Sequence, residues 1–210
     1  MATSRLLTRT RIGVSPSYAD SVPRDYSLVT AVRHGESTWN RAKVVQGQND
    51  DAVLTDEGWQ QARDVGVRLH SFGFTKIFAS DLQRTRETAT AINETLGVSI
   101  TTDVRLRERH YGDLETGPSS AVTPDVSGFH NGEVVSLTAH PVNGESLGDL
   151  YDRVGSFLDD LFAHALDGPV LLVTHGGTIR ALLAHAAGVK MDELPWGPVT
   201  NCSVWPLGRA

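Results

Sequence analysis

Along most of this chain, short apolar runs alternate with segments whose apolar residues recur every three or four positions. Residues 26–32 (YSLVTAV), 75–79 (TKIFA) and 170–174 (VLLVT) are short and nearly continuous, and predict buried strands. Residues 98–102 and 202–207 predict two weaker ones. Ala62, Val65 and Leu69 share one face of a helix that Thr55 opens as N-cap, with Asp56 and Glu57 in the first turn, where the helix dipole favours acids. Leu82, Ala89, Ile92 and Leu96 form a second helical stripe, started by Ser80 or Asp81 and stopped at Gly97. A long amphipathic helix starts at Ser146 with Asp149, runs through Leu150, Val154, Phe157, Leu161 and Ala165, and is closed by Gly168-Pro169. A fourth helix comes after His175-Gly176-Gly177 and continues to Gly188. Between about 111 and 143 the pattern dissolves into Gly, Pro, Ser and Thr, which predicts a long excursion or lid. Strands alternating with helices predict an α/β sandwich around a largely parallel central sheet.

Composition narrows the class. The chain has 210 residues, 40% hydrophobic and 21% charged, which suits one domain with a sizeable core. The net charge of −6 argues against a general nucleic-acid or membrane-surface binder. No apolar run approaches the ~20 residues of a membrane span. The single cysteine, Cys202, excludes an intrachain disulfide framework and fits a reducing, cytoplasmic setting. The first residues carry Arg5, Arg9 and Arg11 among Ser and Thr, faintly like a transit peptide, but residues 1–25 are expected to be a loosely ordered extension before a domain over 26–210. No stretch specifies the oligomeric state, and a homodimer is compatible with the sequence.

In open α/β sheets, ligands sit beyond the carboxyl ends of the strands. Four polar clusters fall there: Arg33-His34, Arg84, Glu108 and His175. Two imidazoles, two guanidiniums and a carboxylate suit a bound phosphate dianion. Arg33 and Arg84 can each fork two N–H groups onto phosphoryl oxygens, and Arg84 lies in the first turn of its helix, where free N–H groups add to an anion site. Gly35 and Gly176 are expected to let backbone approach the ligand closely. A nucleophilic histidine must be neutral, and neighbouring guanidiniums should keep it so. Glu108 is the carboxylic acid available to protonate a leaving alkoxide. Singly, each residue has a duller explanation: a packed histidine, a surface arginine with Arg86 and Glu87 beside it, a solvated charged turn in RLRERH. The conjunction favours the phosphate site.

The segments carrying these residues resemble a known family. Residues 32–40 (VRHGESTWN) are similar, nearly residue for residue, to the signature of the histidine phosphatase superfamily, whose members include the phosphoglycerate mutases. Residues 54–62 (LTDEGWQQA) resemble its LTxxGxxQA helix, 80–89 (SDLQRTRETA) its second arginine motif, and 173–177 (VTHGG) the segment bearing its second histidine. The match runs in the family's order from about Tyr26 to Val204. It implies the three-layer α/β/α sandwich of the phosphoglycerate mutase-like fold, a phosphohistidine at His34, a phosphate pocket from Arg33, Arg84 and His175, Glu108 as proton donor, and a phosphate contact from Asn40. Gly176 falls in the same pocket. The implied substrate is a small phosphate ester, with no cofactor and no metal.

Within the family, Arg107–Gly112 (RERHYG) resembles the cofactor-dependent phosphoglycerate mutases, whereas the segment before Gly144-Glu145-Ser146 is shorter than theirs. No Lys or Arg occurs between Arg109 and Arg153, and that stretch holds Asp113, Glu115, Asp125, Glu133, Glu145, Asp149 and Asp152. A second anionic group would depend on Arg109 or the N-terminal arginines, so hydrolysis is expected over mutase transfer. Where many relatives read G-x-W-E-G, this chain has Gly112-Asp-Leu-Glu-Thr116. Rival classes lack support. An inactive phosphate-binding module should have lost His34, Glu108 or His175, and metal-hydrolase, P-loop and dinucleotide motifs are absent.

Overall fold

Five consecutive apolar or threonine side chains in Val170–Thr174 demand burial on both faces, and every one of them is buried. In the computed structural model, which describes residues 24–208 except 132, 165, 195 and 196, this strand is the middle of a five-stranded sheet. The strands are β1 (Val29–Arg33), β2 (Lys76–Ala79), β3 (Ser99–Thr102), β4 (Phe129–His130), β5 (Glu133–Val134), β6 (Val170–Thr174) and β7 (Val204–Pro206). The main sheet has the order β3-β2-β6-β1-β7, parallel except for β7, and β4 with β5 forms a separate antiparallel pair.

The helices are α1 (Thr38–Ala42), α2 (Asp56–Leu69), α3 (Gln83–Leu96), α4 (Pro124–Ser127), α5 (Leu147–Ala163) and α6 (Gly176–Ala187). Alternation along the strands divides the core into two layers. Val29, Ala31, Val170 and Leu172 pack with α5 and α6, whereas Val32, Leu171 and Val173 pack with α2 and α3. The result is the expected α/β/α sandwich. No helix among the described residues is long and apolar enough to cross a membrane.

Several boundaries differ from those the sequence predicts. Tyr26–Leu28 is a 3-10 turn, so β1 begins at Val29. Neither Ser80 nor Asp81 caps α3. Its N-cap is Leu82, and the Gln83 amide instead donates to the Asp50 carboxylate from a distant loop. The box of Ser146 with Asp149 does open α5, but the helix ends at Ala163, short of Gly168. The short α1, opened by a Ser37–Asn40 box, has too few residues to show a period. Residues 1–23 of the expected extension lie outside the described residues. Its last two are anchored, Arg24 by an ion pair to Asp159 on α5 and Asp25 by accepting the Ser27 amide.

The excursion carries structure of its own. Amides of Val45, Thr116 and Ser119 pair its beginning with the 43–45 loop. Arg109, only 2% exposed, ties down the remainder. Its Nε donates to the Glu145 carbonyl, and its terminal nitrogens to the carbonyls of Ser127, Val126 and Ala139. An arginine buried this way replaces a hydrophobic core for a segment with few apolar residues. Arg109→Met leaves those carbonyls buried without donors, and the expected cost is roughly 3 kcal/mol. Urea unfolding and limited proteolysis check this: a lower midpoint and new cleavage within 117–141 are expected, and wild-type resistance to both would show that other contacts hold the excursion.

Candidate active site

The register of the parallel sheet assembles the site. Arg33 pairs with Thr174 across β1 and β6, so the next residues, His34 and His175, leave the sheet side by side. Their ring centroids lie 5.2 Å apart, at an interplanar angle of 61°. Ala79 pairs with Val173, which brings Ser80 beside them. Arg84 enters from the first turn of α3, and Glu108 from the segment after β3. Arg33, His34, Arg84, Glu108 and His175 line one cavity of about 280 Å³, together with Gln46, Gly47 and Tyr111, and Ser80 lies behind them.

His34 is buried, and its Nδ1 lies 2.8 Å from the Gly35 carbonyl. A carbonyl only accepts, so Nδ1 carries the hydrogen and Nε2 keeps its lone pair. Burial first, then the Arg84 and Arg33 guanidiniums, holds His34 well below the ordinary histidine value of 6.5. His175 is depressed in the same way, by burial and then by Arg84. Burial also pushes Arg84 down to about 10 and the Tyr111 phenol up to about 12.

Buried polar atoms are normally hydrogen-bonded. Here three that belong to cavity-lining residues have no hydrogen-bond partner among the described residues: Arg33 Nε, Arg84 Nε and His175 Nδ1. Three such atoms around one cavity are the complement of an oxyanion. The guanidiniums are less free than expected, because Arg33 donates to the Val199 carbonyl at 2.6 Å, and Arg84 to the carbonyls of Gly47 and Asn49 at 2.7 and 3.0 Å. Each donating terminal nitrogen retains a second hydrogen, so Nε with a neighbouring terminal N–H is what each guanidinium still offers an anion.

Glu108 sits where this cavity meets a second one of about 410 Å³. Its two carboxyl oxygens accept from the Arg109 and Gly177 amides, at 2.8 and 3.1 Å. Arg153 secures the segment, donating to the carbonyls of Arg105, Arg107 and Glu108 while forking onto Glu145. The second cavity has an apolar wall from Val122, Phe129, Leu147 and Val199, with Arg180 as a cation on its α6 side. Phe129 therefore belongs to the site, under the Arg180 guanidinium at 5.9 Å. His130 and His140 bond locally, to Asn131 and to the Pro141 carbonyl.

Of the predicted residues, Arg33, His34, Arg84, Glu108 and His175 meet in the first cavity, and Gly176 lines the second. Asn40 lines neither. Its Oδ1 accepts from the Ser37 amide, the Ser37 hydroxyl and Asn201, which makes it part of the α1 cap. Gly35 also has a different reason. A Cβ there would stand 2.4 Å from the Gly58 carbonyl, so the glycine serves the packing of α2 against the loop rather than ligand approach. Sequence reasoning missed Ser80, Arg153 and Arg180. Only Arg180 carried a usable signal, lying one helical turn beyond Gly176. Among the described residues, no three His, Cys, Asp or Glu side chains form a group that could hold a metal ion.

Comparison with known proteins places this geometry. The family profile of the histidine phosphatase superfamily (branch 1) matches residues 29–209. A protein named probable phosphoglycerate mutase GpmB from Erwinia tasmaniensis is 35% identical over 184 residues, covering 84% of this chain and 82% of its own. The protein of the same name from Yersinia enterocolitica is 36% identical over 177 residues, with the same coverage. Among solved structures, a mycobacterial glucosyl-3-phosphoglycerate phosphatase in complex with VO3 superposes with a TM-score of 0.73 at 30% identity, over 84% of this chain and 88% of that one. Bacillus stearothermophilus YhfR gives 0.72 at 28% identity, with the same coverage.

The two depressed imidazoles set a pH dependence. Below about 6.5 the unfolded chain binds protons at these positions that the folded chain refuses, so their contribution to stability is complete above that pH and is lost as pH falls toward the folded values. Denaturant unfolding between pH 7.5 and 5 checks this. The His34→Gln/His175→Gln double variant should show a flatter decline than the wild type, and parallel curves would refute the assignment.

Proposed function

The chain belongs to the histidine phosphatase superfamily, and from that membership we propose that it is a metal-independent phosphomonoesterase, acting on a small phosphorylated metabolite through a phosphohistidine at His34. The observation that carries the reading is the Nε2 lone pair of His34 beside three buried nitrogens without partners. In this reading Nε2 attacks phosphorus in line with the ester oxygen, the N–P bond forms as the P–O bond breaks, and the departing alkoxide takes the Glu108 proton. Water then gives a proton back to the Glu108 carboxylate and attacks phosphorus. The N–P bond breaks, inorganic phosphate leaves, and His34 returns to its neutral Nδ1–H form. Arg33, Arg84 and His175 stabilise the charge spread over the equatorial oxygens, the main requirement of phosphoryl transfer. The second cavity receives the leaving group, since Glu108 stands at its mouth.

Water as the second acceptor is supported by the fate of Arg109. A mutase must hold a second anionic group, and Arg109, which the sequence offered for that, is committed to four backbone carbonyls. The alternative, phosphoglycerate mutase-type transfer, draws on the names of the GpmB relatives and on Arg180 in the leaving-group cavity. A cytoplasmic location belongs to the same reading and is supported by the lone thiol of Cys202.

His34→Ala is expected to abolish turnover of an aryl phosphate, and Glu108→Gln to slow it by about 10²–10⁴ while phosphate still binds. Near-normal turnover by His34→Ala removes the nucleophile assignment. A panel of sugar, nucleotide and hydroxy-acid phosphates, with a phosphoglycerate mutase assay beside it, separates hydrolase from mutase. Chelator should leave the rate unchanged and vanadate should inhibit, because it takes up the five-coordinate geometry of the transferring phosphorus. Strict dependence on added Mg²⁺ would contradict the metal-independent mechanism.

A further inference from the structure

Ser80 is wholly buried just beyond the end of β2, does not serve as the N-cap of α3, and has no task in the reaction outlined above. Its Oγ lies 3.0 Å from Nε2 of His175 and 3.3 Å from the Leu82 amide nitrogen. The amide can only donate, so it occupies a lone pair on Oγ and leaves the serine's own hydrogen in need of an acceptor. Among the described residues the one acceptor within reach is His175 Nε2. We propose that Ser80 is a positioning residue: its hydroxyl donates to Nε2, keeps that nitrogen unprotonated, and fixes the hydrogen of His175 on Nδ1, so that this ring enters the phosphate cavity as a neutral hydrogen-bond donor. The acceptor it would meet, a phosphoryl oxygen, rests on the phosphatase reading; the tautomer does not.

Two further observations fit. His175 Nδ1 is buried and lacks any hydrogen-bond partner among the described residues, as a donor reserved for ligand would be. His34 carries its hydrogen on the same ring position but turns it away, onto the Gly35 carbonyl. The two rings, adjacent in the site, therefore offer opposite chemistry to one phosphate: a lone pair for phosphorus from His34, a hydrogen for oxygen from His175. The other tautomer of His175 would point a lone pair at an oxyanion. The partner type also matters. A carboxylate in place of Ser80 would require a hydrogen on Nε2 and favour the imidazolium, whereas a hydroxyl whose own hydrogen has no other acceptor favours the reverse.

The uniformly ¹⁵N-labelled full-length protein at pH 7.5 tests this through two-bond ¹H–¹⁵N spectra of the histidine rings. In the wild type His175 should show a pyrrole-like Nδ1 and a pyridine-like Nε2. Ser80→Ala should move His175 largely to the Nε2–H tautomer and lower kcat on an aryl phosphate roughly 10-fold, short of the ~10²–10³ for outright loss of an oxyanion donor. KM should stay within about threefold, since the lost interaction strengthens in the transition state. A hydrogen on Nε2 in the wild type overturns the proposal without any variant, and so does a Ser80→Ala rate loss with no tautomer change. Turnover surviving in His34→Ala would instead sink the phosphohistidine reading and leave the tautomer assignment standing.

Discussion

Buried positive charge is the constraint around which this site is built. Arg84 is 1% exposed and His175 wholly buried, and both share a cavity wall with Arg33. Burying cations is costly unless hydrogen bonds and nearby anions offset the lost hydration. Here the offsets are backbone carbonyls of Gly47, Asn49 and Val199, together with the field of Glu108. Histidines in that environment stay neutral, and the cavity keeps an unmet preference for an anion. On the proposed reading, affinity for an anion, the neutral state of His34 and the acid sensitivity of the fold have the same origin.

The loops exist to maintain those offsets. Glu115 accepts the amides of Gln48 and Tyr111, and its carboxylate stands where a side chain at Gly47 would have to go. The Gly47 carbonyl then faces Arg84. On the other flank Arg153 and Glu145 hold the strand of backbone that presents Glu108. Ion pairs of this partly buried kind contribute more by fixing a conformation than by their net energy.

The sheet and its two helical layers were legible because they are periodic. Val170–Thr174 reads as a buried strand and is one, and Thr55 and Ser146 open their helices as expected. Arg33, His34, Arg84, Glu108 and His175 were legible as a group because parallel strands all run out at the same edge of the sheet and release the chain there. The rest was hidden for identifiable reasons. Asp50 caps α3 across a gap in sequence that no local pattern records. Arg109, a cation that the sequence offers to substrate, became a clamp because 111–143 lacks the apolar residues for a core of its own. The task of Gly35 could not be known before Gly58 was seen against it, and Ser80 needed an atom-by-atom accounting of donors and acceptors.

The two cavities share Arg33, Glu108, Tyr111 and Val122 and differ in the rest of their walls. The smaller one adds His34, Arg84, His175 and the loop at Gln46 and Gly47, whereas its neighbour adds an apolar side from Phe129 of the excursion, Leu147 of α5 and the late loop at Val199. On the proposed reading, side-chain changes at Phe129 and Leu147 would reshape the space for the leaving group and touch none of the residues assigned to the reaction. The alcohol accepted could then vary while the phosphate-facing side chains stay the same.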